Sequence, residues 1–332
     1  MRIIGTAAIS ACLLICVVTA CAPSYPKEKL DKAVKSVCKN EYDMNVDVSI
    51  TGSTMGIYYP MKGLLEPSLN ISEDAWDSIT NLLQVASRVV LSTDADIKFY
   101  CIIAQDVRLP ELQVVIIKYV DDVKRGMFRS ISRNESLKRT LFSINLTPQA
   151  EKEKSVEKVF EKLGVEQTTA ENVLEEFFRS PPTKLKDVGY WKGHFYLKDV
   201  TLPEFLAAQA ASRIKFDFRG EENLKEKYDF RVSEGEYSDK MGIKAFILKF
   251  KIAEKGPRAN VGKLRKEKIE DIISIFKHML AGYKFTDYDI VILDDQLENA
   301  ILRIKEQDIK SFGKKEMDIE NVVIAPAGYF IK

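Results

Sequence analysis

After the first two dozen residues, apolar positions recur at two spacings, and the spacing switches in a fixed order. Residues 27 to 39 place Leu30, Val34, Val37 and Cys38 on one helical face. Val46 to Ile50 alternates with Asp47 and Ser49, and Met55 to Tyr59 follows Gly52, so two short strands are expected. Ser72-Glu73-Asp74 opens a strong helix. The serine can cap it, the acids suit the positive end of the helix dipole, and Trp76, Ile79, Leu83, Ala86 and Val90 form an apolar stripe. Ile97 to Ala104 and Leu112 to Tyr119 then read as apolar strands joined by a polar turn. The order is αββαββ.

The same order returns further along. Thr201-Leu202-Pro203-Glu204 is a capping box with proline in the first turn, starting a helix through Phe205, Leu206 and Ala210. Phe216-Asp217-Phe218 and Tyr228 to Val232 read as extended, and Ala245 to Ile252 as a strand. A helix from about Leu264 to Tyr283 carries Ile269, Ile272, Phe276, Met279 and Tyr283 on one side. Tyr288 to Leu293 and Asn299 to Ile304 close the set as a hairpin. Helix starts at Ser72 and near Lys263, and strand starts at Ile97 and Tyr288, are both 191 residues apart, a spacing that suggests a duplication.

The region between the halves differs. Gln149 to Leu163 and Thr169 to Arg179 read as helices, and Ser180-Pro181-Pro182-Thr183 breaks the chain. Gly189 to Tyr196 is aromatic-rich. It reads either as an edge strand packed on the second half or as an exposed binding surface made by Tyr190, Trp191, Phe195 and Tyr196. The fold expected is α+β, with two similar αββαββ units and a helical insert. That order is a circular permutation of the ferredoxin-like βαββαβ arrangement, and it resembles small lipid-associated domains of bacterial envelope proteins. A likeness at that level implies no function. The boundaries expected are a signal peptide at 1–20, a tether at 21–26, units at 27–147 and 189–332, and the insert at 148–188.

The N-terminus changes the picture most. Met1-Arg2 precedes an almost unbroken apolar run from Ile3 to Ala20, the form of an export signal. Val18-Thr19-Ala20-Cys21 resembles the lipobox of bacterial lipoproteins. The resemblance covers residues 1 to 24 and implies cleavage before Cys21, acylation of its thiol, and attachment to a membrane by more than one chain. Ala22 is not aspartate, so the inner-membrane retention signal is absent and an outer membrane, where the host has one, is the expected destination. An uncleaved spanning helix is the alternative; Pro23 and Pro26 suit a flexible tether better. After cleavage Cys38 and Cys101 remain, open to a disulfide or to burial as free thiols.

Composition narrows the function classes. Of 332 residues, 50 are Lys or Arg and 49 Asp or Glu, so no net charge argues for a nucleic-acid partner. Ile116 to Gly126 resembles the Tyr-x-Asp-Asp hairpin of reverse transcriptases, in which paired aspartates hold metal ions. Lys124-Arg125-Gly126 does not continue as the strand that motif requires, however, and Lys305 to Lys310 has a similar form. Asp122, Asp199 and Asp308 are therefore read as helix caps. Asp294-Asp295 is read as an acidic turn. Ser130 to Glu135 is read as a polar helix end or a cap at Asn134. The two histidines, His194 and His278, have no partner at ligand spacing, and no nucleophile or phosphate-loop motif occurs. The expectation is a lipid-anchored envelope protein binding a protein, glycan or lipid partner, with no cofactor or metal. The alternative is an envelope hydrolase with dispersed carboxylates.

Overall fold

The computed structural model describes residues 24–66, 70–147, 188–255, 261–313 and 325–326. The expected signal, Cys21 and the two expected helices of the insert lie outside them. The fold is α+β with two αββαββ units. In the first, α1 (Leu30–Tyr42) leads to the hairpin β1 (Asp47–Thr51) and β2 (Thr54–Met61). Helix α2 (Glu73–Leu91) crosses to β3 (Phe99–Asp106), which runs parallel to β2, and β4 (Leu112–Tyr119) returns antiparallel. Two short helices, α3 (Val120–Met127) and α4 (Arg133–Lys138), turn a corner into β5 (Leu141–Leu146). The sheet order is β1-β2-β3-β4-β5.

A hairpin of β6 (Val188–Trp191) and β7 (His194–Leu197) precedes the second unit. That unit holds α5 (Leu202–Gly220), α6 (Glu222–Lys227), β8 (Tyr228–Lys240), β9 (Ile243–Glu254), α7 (Val261–Tyr283), β10 (Ile290–Asp295) and β11 (Ala300–Lys305), then α8 (Glu306–Ser311) and β12 (Ala325–Pro326). Its sheet has the order β12-β11-β10-β9-β8 and the directions of the first. In each, two parallel central strands have antiparallel outer neighbours, as in a ferredoxin-like sheet, and here the crossover helix joins the central pair directly. Such agreement is what a duplication leaves, but two chains can reach one topology independently.

The first sheet is covered on both faces. Met55, Ile57, Tyr100, Ile102, Val114 and Ile116 pack under α1 and α2. Tyr58, Phe99, Cys101, Ile103, Val115 and Ile117 point the other way and meet α5. Double coverage explains why all eight β3 residues are buried and why β3 reads as a continuous apolar run. Cys38 and Cys101 are free thiols in the cores on opposite faces, so no disulfide links them. On α2, Ser72 caps as expected, its Oγ accepting from Ala75 N at 3.3 Å. Trp76 is corrected: it is 46% exposed, because the buried stripe runs through Ala75, Ile79, Leu82, Ala86 and Val89.

Helix α5 joins the two units. Phe205, Leu206, Ala207, Ala208, Ala210 and Ala211 are all buried, so it is apolar nearly all round and lies between the first sheet and Phe246, Leu248 and Phe250 of the second. Its alanines permit close approach: a methyl at Gly235 of β8 would overlap the Ala207 carbonyl. Phe216-Asp217-Phe218 is helical rather than extended, since Ile214 and Phe218 share its buried face at a spacing of four. Among the described residues, no helix is long and apolar enough to cross a membrane.

Candidate functional site

The paired aspartates lie at the start of α3, where their side chains diverge. Asp121 is on the outside, accepting from Tyr119 OH at 3.1 Å and Lys124 Nζ at 2.9 Å. Asp122 is buried and accepts from Arg139 Nη1 and from Tyr283 OH, each at 2.7 Å. Arg139 also donates through Nε to Glu135 Oε1 at 2.6 Å, and Arg213 reaches the same oxygen at 2.6 Å. The Arg139 guanidinium lies 4.4 Å from the Tyr283 ring centre, completing a polar seam between the units. Burial, then the adjacent Asp122 carboxylate, pushes the Tyr283 phenol far up, so it remains a donor. Burial alone would raise the Glu135 pKa, but hydrogen bonds from Arg213 and Arg139 outweigh it and hold the group below the ordinary range.

The capping assignments are therefore corrected. The α3 cap is Tyr119, with no side-chain bond, and Asp122 is its third residue, drawn inward because two buried donors need an acceptor. Asp199 does not cap α5, where Thr201 and Glu204 form the capping box. It bridges instead to the β1–β2 turn, accepting from Ser53 N at 2.8 Å and Ser53 Oγ at 3.0 Å, while Val200 N donates to Thr54 Oγ1 at 2.8 Å. Gly52, at φ 58°, gives that carboxylate room: a Cβ there would strike Asp199. Asp308 lies exposed at the third position of α8, whose cap is Lys305, and complements the helix dipole only. The cap of α4 is Ser132, accepting from Glu135 N at 3.1 Å, and not Asn134.

Asp295 does hold its turn, accepting from Leu297 N at 3.1 Å, but it also binds a lysine that sequence reading missed. Lys268 of α7 is wholly buried, donating to Asp295 Oδ2 at 2.7 Å and to the Ile252 carbonyl at 3.0 Å. Glu254 Oε1 lies 2.7 Å away, approached too obliquely to be a hydrogen bond, so it contributes charge alone. The available signal was spacing: Lys268 stands four residues before Ile272, on the buried stripe. Among the described residues, no group of three His, Cys, Asp or Glu side chains could hold a metal ion.

The aromatic stretch is the β6–β7 hairpin, turned by Lys192 and Gly193, both at positive φ. It packs on the first sheet, not the second half. Tyr190 stacks on Tyr58 at 3.6 Å and 10°, and Phe195 meets its edge at 5.0 Å. The Gln113 side chain donates to the Tyr190 carbonyl and accepts from Tyr190 N at 3.2 Å, while Tyr196 OH donates to Gln113 at 3.4 Å. Tyr190 OH donates to Asp47 Oδ2 at 3.0 Å, and burial followed by that carboxylate pushes its pKa up to about 12. All four predicted aromatics are half-buried; Trp191 carries the Lys192 ammonium 5.5 Å from its ring centre.

A cleft of about 370 Å³ opens between the hairpin and β1, lined by Asp47, Ser49, Tyr190, His194 and Phe195 among others. Among the described residues β1 is an outermost strand pairing only with β2, and its Asp47, Val48 and Ser49 line the cleft. Two of the four predicted aromatics line it; Trp191 and Tyr196 do not. Comparison of the chain with protein-family models, with curated proteins and with solved structures found no match.

Proposed function

We propose that the protein is a lipid-anchored envelope lipoprotein acting as a non-catalytic binding module, with the β1–hairpin cleft as its partner site. Anchoring rests on Val18-Thr19-Ala20-Cys21 and the apolar run before it. Binding rests on one observation: the cleft brings Asp47 and Ser49 of the outermost described strand together with His194 and the packed Tyr190–Phe195 ring pair. The conspicuous carboxylates elsewhere are engaged: Asp122 with Arg139 and Tyr283, Asp199 with the Ser53 turn, and Asp295 with Lys268. An envelope protein, glycan or lipid headgroup is the partner class, and no part of the reading requires a nucleic acid or a cofactor.

A photo-reactive residue at His194, which is exposed, tests this in intact envelopes carrying the full chain. A discrete adduct is expected, weakened by Asp47→Ala. Turnover of glycans, peptides or lipids by the purified chain at ordinary enzymatic rates would overturn the reading in favour of a hydrolase.

A further inference from the structure

The α3–α4 corner combines features that the cleft does not explain. Phe128 is 83% exposed, Met127 65% and Leu137 61%, three large apolar side chains shared between the end of α3 and α4. The tip is held rigidly: Ser130 donates its N–H and its Oγ to the Arg125 carbonyl at 2.9 and 3.0 Å. Beside it, an open pocket of about 500 Å³ is lined by Arg129, Ile131, Ser132 and Arg133 among others. The cations around it are otherwise engaged, Lys124 with Asp121, Lys138 with Asp217 and Arg139 with Asp122. Arg129 and Arg133 form no ion pair among the described residues.

The position of this corner identifies what it meets. Tyr25 N donates to the Ser92 carbonyl at 3.2 Å and Lys27 N to Asp94 at 2.7 Å, which fixes the start of the folded chain beside the end of α2. Helix α3 leaves the same end of the sheet, with Val120 N donating to the Lys98 carbonyl at 2.8 Å, and it packs on α2. Three residues lie between Cys21 and Tyr25, so the four backbone steps reach at most about 14 Å. An acyl anchor on Cys21 therefore holds this end of the sheet against the bilayer.

We infer that the α3–α4 corner is a membrane-contact surface, with Met127, Phe128 and Leu137 entering the interface and Arg129 and Arg133 meeting anionic lipid headgroups. Apolar side chains flanked by cations suit that boundary, where apolar burial and attraction to anionic lipid add. The inference rests on the anchoring part of the proposed function and is separable from it. It would make the lipoprotein sit in one orientation, so that the cleft is presented at a fixed height.

The lipidated product of the full chain, reconstituted in vesicles, tests it. An environment-sensitive fluorophore is attached at Phe128→Cys or, as control, at Val107→Cys. Val107 is 50% exposed at the far end of β3, about 26 Å away by strand rise. Cys38 and Cys101 are buried and do not compete for label. In vesicles containing phosphatidylglycerol, the label at 128 should shift to the blue and resist aqueous quenchers, while that at 107 should not. Combined Arg129→Gln and Arg133→Gln should diminish the shift. Identical spectra at the two sites, an equal shift in purely zwitterionic vesicles, or a shift seen only with native membrane proteins would overturn the inference. Flotation with the vesicles reports the anchor separately: protein that floats with an unshifted label keeps the anchor and loses this surface. Protein that does not float speaks against the anchor, and the label's spectrum with added vesicles still decides the surface.

Discussion

Asp122→Asn separates the inter-unit seam from a simple helix cap. Asparagine caps about as well as aspartate, so a capping role would make the substitution nearly silent. In the seam, the buried carboxylate compensates the Arg139 guanidinium at 2.7 Å and accepts from Tyr283 at 2.7 Å. Both residues at the ion pair are about 5% exposed, so water cannot replace what is lost. Removing one partner of a buried pair typically costs about 3–5 kcal/mol, and Glu135 still holds Arg139 here, so about 3 kcal/mol is expected. Chemical denaturation of the full chain, followed by circular dichroism, measures it. Tyr283→Phe should cost about 1.5–2 kcal/mol and be non-additive with Asp122→Asn. Replacing the pair together, Asp122→Leu with Arg139→Met, should recover most of the loss, because two desolvated charges are removed at once. A cost below about 0.5 kcal/mol for Asp122→Asn would refute the seam as a stabilising contact.

Three other outcomes follow from particular contacts. Gln209, fully buried in α5 with neither amide atom bonded among the described residues, should give a protein more stable by about 1 kcal/mol when changed to Met, read as a raised denaturation midpoint. Gly235→Ala should cost about 1–3 kcal/mol, since its methyl would meet the Ala207 carbonyl; an unchanged midpoint would show that α5 and β8 can part freely. Glu135 has a pKa held below its unfolded value, so its contribution is complete above about pH 4.3 and lost as pH falls through the folded value. Stability should therefore decline on acidification in that window, less steeply in Glu135→Gln, as seen in denaturation midpoints between pH 6 and 3.

Element type was legible where periodicity was strong, and less so where tertiary contacts decided. The β2–α2–β3–β4 core could be read because apolar strands and the Ser72 cap both leave local signals. Phe99 and Ile290, which start the third strands, are 191 positions apart as expected, whereas the helices before them begin at Glu73 and Val261, 188 apart rather than the expected 191. Helix α5 was cut short because Phe216-Asp217-Phe218 alternates like a strand, whereas Phe218 belongs with Ile214. The candidate site was less visible. Asp122, Asp199 and Asp308 share a local form, an aspartate near a strand exit. Their roles differ because Tyr283, Ser53 and open solvent happen to face them, from distant parts of the chain. No spacing rule shows that Gln113 clamps Tyr190, 77 residues away, and so locks the aromatic hairpin on the first sheet.

The proposed function turns first on whether the chain is held to a membrane at Cys21. Intact-mass and N-terminal peptide measurement on the membrane fraction of a bacterium expressing the full chain tests that directly. The account expects a mature chain beginning at Cys21 with an acylated cysteine, lost together with membrane association in Cys21→Ser. An unmodified Cys21 behind an intact residue 1–20 segment, with the Cys21→Ser chain still membrane-bound after a salt wash, would contradict it.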